Sequence, residues 1–187
     1  CCKRSKRQQP KAEWIMSQIN VNTIGARTGN DITLASGDNF YIPGHVLQVV
    51  QGSLTTEANT TNNSYSDTGL SVSITPKSTS SKILVSFAHH THFYRSSDYG
   101  GGYIKLLRDS TDIDEVRGWM QVGGTSFVAV SRTYTSQILD TPSTTSAITY
   151  KTQYKVHYAA NSETFKIAYE SGSTDVKDTI TAIEIGG

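Results

Sequence analysis

Between Gly69 and Val85 the chain reads GLSVSITPKSTSSKILV, two strand-like runs joined by a turn. Leu70, Val72 and Ile74 alternate with Ser71, Ser73 and Thr75, the period of two that marks a strand with one buried face. Pro76 removes a backbone donor and ends the ladder, and Lys77 to Ser81 supply turn residues. The second run, Ile83-Leu84-Val85-Ser86-Phe87, is the β-branched and apolar kind that shares a core. The connection is too long for a two-residue hairpin, so the two runs suit opposite sheets of a sandwich. A stretch of this kind builds a fold and carries no reactive group.

The rest of the chain repeats this grammar. Only 36% of its 187 residues are apolar and 18% are charged, both low for a globular domain. Ser and Thr make up about a quarter of the chain, with 15 Gly and 10 Tyr. Thr and Tyr favour strands, Ser and Gly favour turns, and helix formers are scarce. Residues 45–187 show strand runs at Val46–Gln51, Lys82–Tyr94, Tyr103–Arg108, Ile113–Arg117, Phe127–Tyr134, Ala147–Tyr158, Phe165–Ala168 and Ile180–Ile185, besides the opening pair. Gly52–Asn63 and Arg95–Gly102 read as loops, the latter exposed and flexible, and Trp119–Gly124 is ambiguous. Many short strands with turn signals between them predict an all-β, antiparallel β-sandwich, jelly-roll-like in its strand number.

Residues 16–44 alternate as well, with Ile19, Val21, Ile24, Ile32, Leu34, Phe40 and Ile42 as the apolar positions. These runs are too short to stand alone in water. They predict an oligomerisation or docking segment, stable only when packed on copies of itself; a linker is the alternative. Residues 1–15 are different again, with five basic residues against Glu13, a charge of +4 (5 − 1) that leaves about −3 for the remainder (12 basic, 15 acidic). They read either as a basic arm or as translated sequence ahead of a start at Met16. The body carries no nucleic-acid footprint. Both cysteines, Cys1 and Cys2, are adjacent at the end and cannot staple a fold. No apolar run approaches the roughly 18 residues of a membrane span, and the basic start runs into Gln8-Gln9-Pro10 rather than a signal-peptide core.

Chemistry is thinly signalled. His89, His90 and His92 invite a metal, but alternation puts only His90 and His92 on one face, with His89 near the core edge. Two imidazoles without a nearby Cys or carboxylate are half a zinc site, so neither metal nor cofactor is expected. No Ser sits in a nucleophile elbow, and Gly100-Gly101-Gly102 and Gly123-Gly124 lack the lysine and helix of a phosphate loop. Asp112, Asp114 and Glu115 read as a solvated strand edge beside Arg117. Phe93, Tyr94, Tyr99 and Trp119 around the Arg95–Gly102 loop offer rings for stacking on sugars; core or oligomer interface is the competing role.

The succession GHVLQVVQ (44–51), GLSVSITPKSTSSKILV (69–85), YIKLLRDST (103–111), LDTPSTTSAITYKTQY (139–154) and TAIEIGG (181–187) resembles a domain of tail-fibre and other structural proteins of tailed bacteriophages, especially those of marine bacteria. The lead MSQINVNTIGARTGNDITLASGDNFYIPG resembles the N-terminal segments of such fibres. The resemblance implies a non-enzymatic virion protein, usually a homotrimer, on tail or capsid, with itself and other virion proteins as partners; a receptor-binding module that takes host surface glycan through the aromatic loop is the alternative. It implies no catalytic residues, and the basic two-cysteine start departs from its pattern.

Overall fold

The computed structural model describes residues 43–95, 99–121, 128–159, 163–169 and 176–187, with Tyr99, residues 119–121 and Val128 placed by backbone alone. Residues 1–42, and with them Ile19, Val21, Ile24, Ile32, Leu34, Phe40 and Ile42, lie outside the described residues.

Ten strands follow in order: β1 (Val46–Leu54), β2 (Ala58–Thr60), β3 (Ser66–Ile74), β4 (Lys82–Arg95), β5 (Tyr99–Arg108), β6 (Thr111–Gln121), β7 (Val128–Asp140), β8 (Ile148–Val156), β9 (Thr164–Ile167) and β10 (Asp178–Ile185). They form a six-stranded and a four-stranded antiparallel sheet packed face to face. The opening stretch is divided as its long turn requires: β3 belongs to the smaller sheet and β4 to the larger.

β4 is the spine. One edge pairs with β7 from Ile83 to Arg95. The other edge pairs with β10 over Lys82–Ala88 and then with β9 over Thr91–Tyr94. β10 is flanked in turn by β1, and β9 by β2. Counting β1 with β2 as one interrupted strand, and β9 with β10 as another, the larger sheet reads (β1,β2)–(β9,β10)–β4–β7. The smaller reads β3–β8–β5–β6. This interleaving of consecutive strands between two sheets is the jelly-roll order.

The core lies between the sheets and follows from the alternation. Leu70, Val72 and Ile74 of β3 face Ile83, Val85 and Phe87 of β4, joined by Ile104, Leu106, Tyr150, Phe165, Ile167 and Ile180. Gly69 interrupts β3 with φ of 89° at the place where its register with β8 shifts between Asp67 and Ser71. Four residues on β3 there oppose two on β8, a bulge that a glycine accommodates and that keeps Thr68 and Leu70 both on the core face.

Three readings are corrected here. The ends of the Arg95–Gly102 stretch are not exposed loop: Arg95 ends β4 fully buried, and Gly100–Gly102 belong to β5, while residues 96–98 lie outside the described residues. A Cβ on Gly102 would stand 2.4 Å from the Phe165 ring, and one on Gly100 would stand 2.5 Å from Phe93. The glycines are there because aromatic rings from the opposite sheet occupy the space a side chain would need. Phe93, offered above as a sugar contact, is therefore a core residue at 4% exposure. The supposed loop Gly52–Asn63 contains the end of β1 and all of β2, and Trp119 lies within β6.

Candidate functional site

The groups best placed for chemistry sit between the sheets. Asp178 opens β10 beside His89 and His90 of β4, and its carboxylate accepts from four donors. These are His89 Nδ1 at 2.7 Å, the His90 amide at 2.8 Å, the Ala168 amide at 2.9 Å and His90 Nδ1 at 3.1 Å. On the far side of the His89 ring, Nε2 lies 2.9 Å from Thr152 Oγ1 on β8, which lies 2.6 Å from Thr68 Oγ1 on β3. Burial would raise Asp178, but the hydrogen bonds from His89 and the His90 amide outweigh it and hold the carboxyl below the usual range.

Aspartate, histidine and a hydroxyl in a row are the parts of a nucleophilic triad. Here His89, Thr152 and Asp178 each have 0% exposure, so no substrate atom reaches the Thr152 hydroxyl. The row instead joins β10 and β4 of one sheet to β8 and β3 of the other. His89 is thus a fully satisfied core residue rather than a core-edge one. The carboxylate that sequence reading found missing beside the histidines is Asp178, 89 residues further on. Nothing in local spacing could have signalled it. It serves as a hydrogen-bond acceptor, and among the described residues no three His, Cys, Asp or Glu side chains gather in a metal-binding group.

A second tie closes the other end of the sandwich. Arg108 Nη1 of β5 grips both oxygens of Asp140 on β7, at 2.7 and 2.6 Å, and Tyr150 of β8 donates its hydroxyl to the same carboxylate at 2.6 Å. Burial, then that bond to Asp140, pushes the Tyr150 phenol far up. At the side, Ser136 of β7 donates to Asp114 of β6. The acidic run Asp112–Glu115 is consumed in the same manner, with Asp112 on Lys105 at 2.7 Å and Glu115 on Arg117. Among the described strands β6 is the outer one of its sheet; Asp112 is exposed there as a solvated edge requires, while Asp114 and Glu115 are half-buried.

His90 and His92 do share the outward face of β4. His90 is 45% exposed while still touching Asp178; His92 meets Ser131 Oγ at 3.0 Å and stacks on Tyr169 at 4.4 Å. Burial, then the nearby Lys166 ammonium, lowers His92 below the ordinary imidazole range. Of the aromatic candidates, Tyr94 is half-buried beside Thr164 and Ala129. Tyr99 pairs with Gln121 and Trp119 with Gly101, so these two stand at diagonal positions of one ladder near the end of the sandwich. The structure brings Tyr99 and Trp119 together in register and removes Phe93 from the group.

The two outward faces differ in chemistry. That of the four-stranded sheet is a charged lattice: Lys105 and Lys155 lie over the Tyr65 ring at 4.3 and 4.7 Å, Arg117 over Tyr103 at 5.5 Å, and Lys151 on Asp67 at 3.0 Å. That of the six-stranded sheet is uncharged over much of its area and leaves Val46, Val49 and Leu139 exposed. A crevice lined by Thr91, Phe93, Gly102, Gly118, Arg132 and Tyr134 opens between the sheets, with a volume of about 10 Å³. That is room for at most one water.

No family model matches the chain, and no curated protein matches it. Among solved structures it is similar to dimeric latent PorU from Porphyromonas gingivalis, with a TM-score of 0.46 and 8% identity over 81% of this chain. The chain spans only 14% of that protein's length, and nothing is carried over from it.

Proposed function

We propose that this chain is a non-enzymatic structural protein of a phage virion that assembles with copies of itself. The observation that carries this reading is the use made of the reactive side chains. Asp178, His89 and Thr152, which have the parts of a triad in a row, are sealed between the sheets as a strut, and Asp140, Arg108 and Tyr150 form another. A jelly roll braced in this way displays surfaces rather than a reactive centre, and the order of its β motifs supports the virion assignment through the resemblance described above. Protein mass spectrometry of purified particles tests it. The chain should appear at a fixed copy number in intact particles, and its absence from them would refute the assignment.

A second reading, recognition of host surface glycan, is favoured by one observation: the register that puts Tyr99 and Trp119 at diagonal positions near the end of the sandwich. Glycan-array binding lost in a Tyr99→Ala, Trp119→Ala double variant would support it; binding unchanged in that variant would dismiss it.

A further inference from the structure

Rows of side chains can be read across the outward face of the six-stranded sheet. Val49 of β1 pairs with Ile183 of β10, Ile183 with Leu84 of β4, and Leu84 with Leu139 of β7. The result is an unbroken apolar row spanning the whole sheet, with both ends more than half exposed. Val46, 58% exposed, lies beside Ile185 one row away. On the other side come Gln51, Thr181, Ser86 and Gln137, and after them Ser53, Thr179, Ala88 and Thr135. None of the twelve residues in these three rows ionises. Among the described residues charge returns at the margins, with Lys82 beside Ile185 and the Lys166–Glu57 ion pair beyond His90.

We propose that this face is covered by a second copy of the chain. The inference rests on the self-assembling reading above and names the surface through which it works. An apolar row flanked by neutral rows, with charge held to the margins, is the composition of a contact surface, and the opposite face of the same molecule shows what its solvated surface looks like. Two features favour a copy over an unrelated protein. A face with no charged group meets its own copy without like-charge repulsion, in any rotation, whereas an unlike partner is normally selected by opposite charge. Its size also fits. Four strand columns at about 4.8 Å and three uncharged rows at about 6.8 Å give a plane of roughly 19 by 20 Å, about 400 Å². Side-chain relief brings that toward the roughly 800 Å² each partner contributes to a stable contact.

The test introduces charge where it is absent. Gln51 and Gln137 are exposed, and both lie in the middle row, so a Gln51→Lys, Gln137→Lys double variant should fold as the parent does, with an unchanged circular dichroism spectrum. The full chain is sedimented at micromolar concentration, with Lys155→Gln on the opposite face as the control. The expected result is an oligomer in the parent and the control, weakened at least about tenfold in the double variant. An oligomer indifferent to the two lysines would overturn the assignment of this face and leave self-assembly standing. A monomeric parent would overturn both. A monomer whose face is shielded only in the particle, by a different protein, would also overturn the proposal while leaving the virion reading intact. Leu139→Asp, at the exposed edge of the apolar row, repeats the test from the apolar side and should dissociate the oligomer in the same manner.

Discussion

Gly102 is conspicuous at the scale of single residues because its neighbourhood inverts its sequence reading. Three glycines in succession suggest a hinge, yet Gly102 sits in a paired strand against Phe165, a ring with no exposure. Alanine there would force a fully buried ring to move. Overpacking of this kind costs about 1–3 kcal/mol, and Gly102→Ala should lower the urea midpoint accordingly. An unchanged midpoint would restore the loop reading. Asp178 gives a second expectation at this scale. Its folded pKa is depressed, so its contribution to stability is fully present above the unfolded value of about 3.9 and is lost as pH falls through the folded value. Urea unfolding at about pH 7 and about pH 3 should therefore show the parent losing stability in acid. Asp178→Asn should cost about 1–3 kcal/mol near neutrality, because buried donors lose their charged acceptor, and should flatten the acid limb. An equally steep acid limb in the variant would assign the loss to other carboxylates. Neither residue was legible in the sequence. What defines Gly102 is a ring 63 positions away, and what defines Asp178 is an imidazole 89 positions away.

Among the elements, the strands with clean alternation were legible and the broken ones were not. β3, β4, β8 and β10 bury every second residue with scarcely a fault, so all four were located as strand runs, and in β3 and β4 the alternation also divided the faces. β2, at three residues, is too short for a period to show and was read as loop, whereas β9, at four, was found within a residue as Phe165–Ala168; both persist because each adds to an existing ladder. The extension of β6 to Gln121 escaped notice because Gly118 breaks the apolar pattern, and its Cβ position is occupied by the Tyr134 hydroxyl. The topology also sets an order of strength. β4 is hydrogen-bonded on both edges along nearly its whole length, whereas among the described residues β1 and β7 are paired along one edge. Amide hydrogen exchange should be slowest in β4 between Ile83 and Phe93 and faster in β1 and β7, since exchange tracks the free energy of local opening. Faster exchange in β4 than in β7 would mean that the sandwich opens through its spine.

At the scale of the whole molecule, the two outward faces make opposite demands on the solvent. The four-stranded sheet invests in ion pairs that sit in water, such as Lys151 with Asp67 and Lys105 with Asp112, and these are worth little and are screened by salt. The six-stranded sheet presents the apolar row from Val49 to Leu139 with neutral rows beside it. The sequence placed Val49, Leu84 and Ile183 in strands and left Leu139 beyond the strand read at Phe127–Tyr134, and their union into one row depends on β1, β10, β4 and β7 becoming neighbours, which no local pattern encodes. If copies meet through this face, ordinary salt should hardly weaken their association. At about 0.05 M the Debye length exceeds 10 Å and at about 0.5 M it is near 4 Å. An interface held by ion pairs would lose affinity steeply across that range, and one without charge at its centre would not. Sulfate, which strengthens the burial of apolar surface, should tighten the association instead. Sedimentation of the full chain across a chloride series and a sulfate series separates the cases. A steep loss of affinity in chloride would transfer the contact to the charged face, where Lys105, Lys155 and Arg117 would then be the residues to substitute.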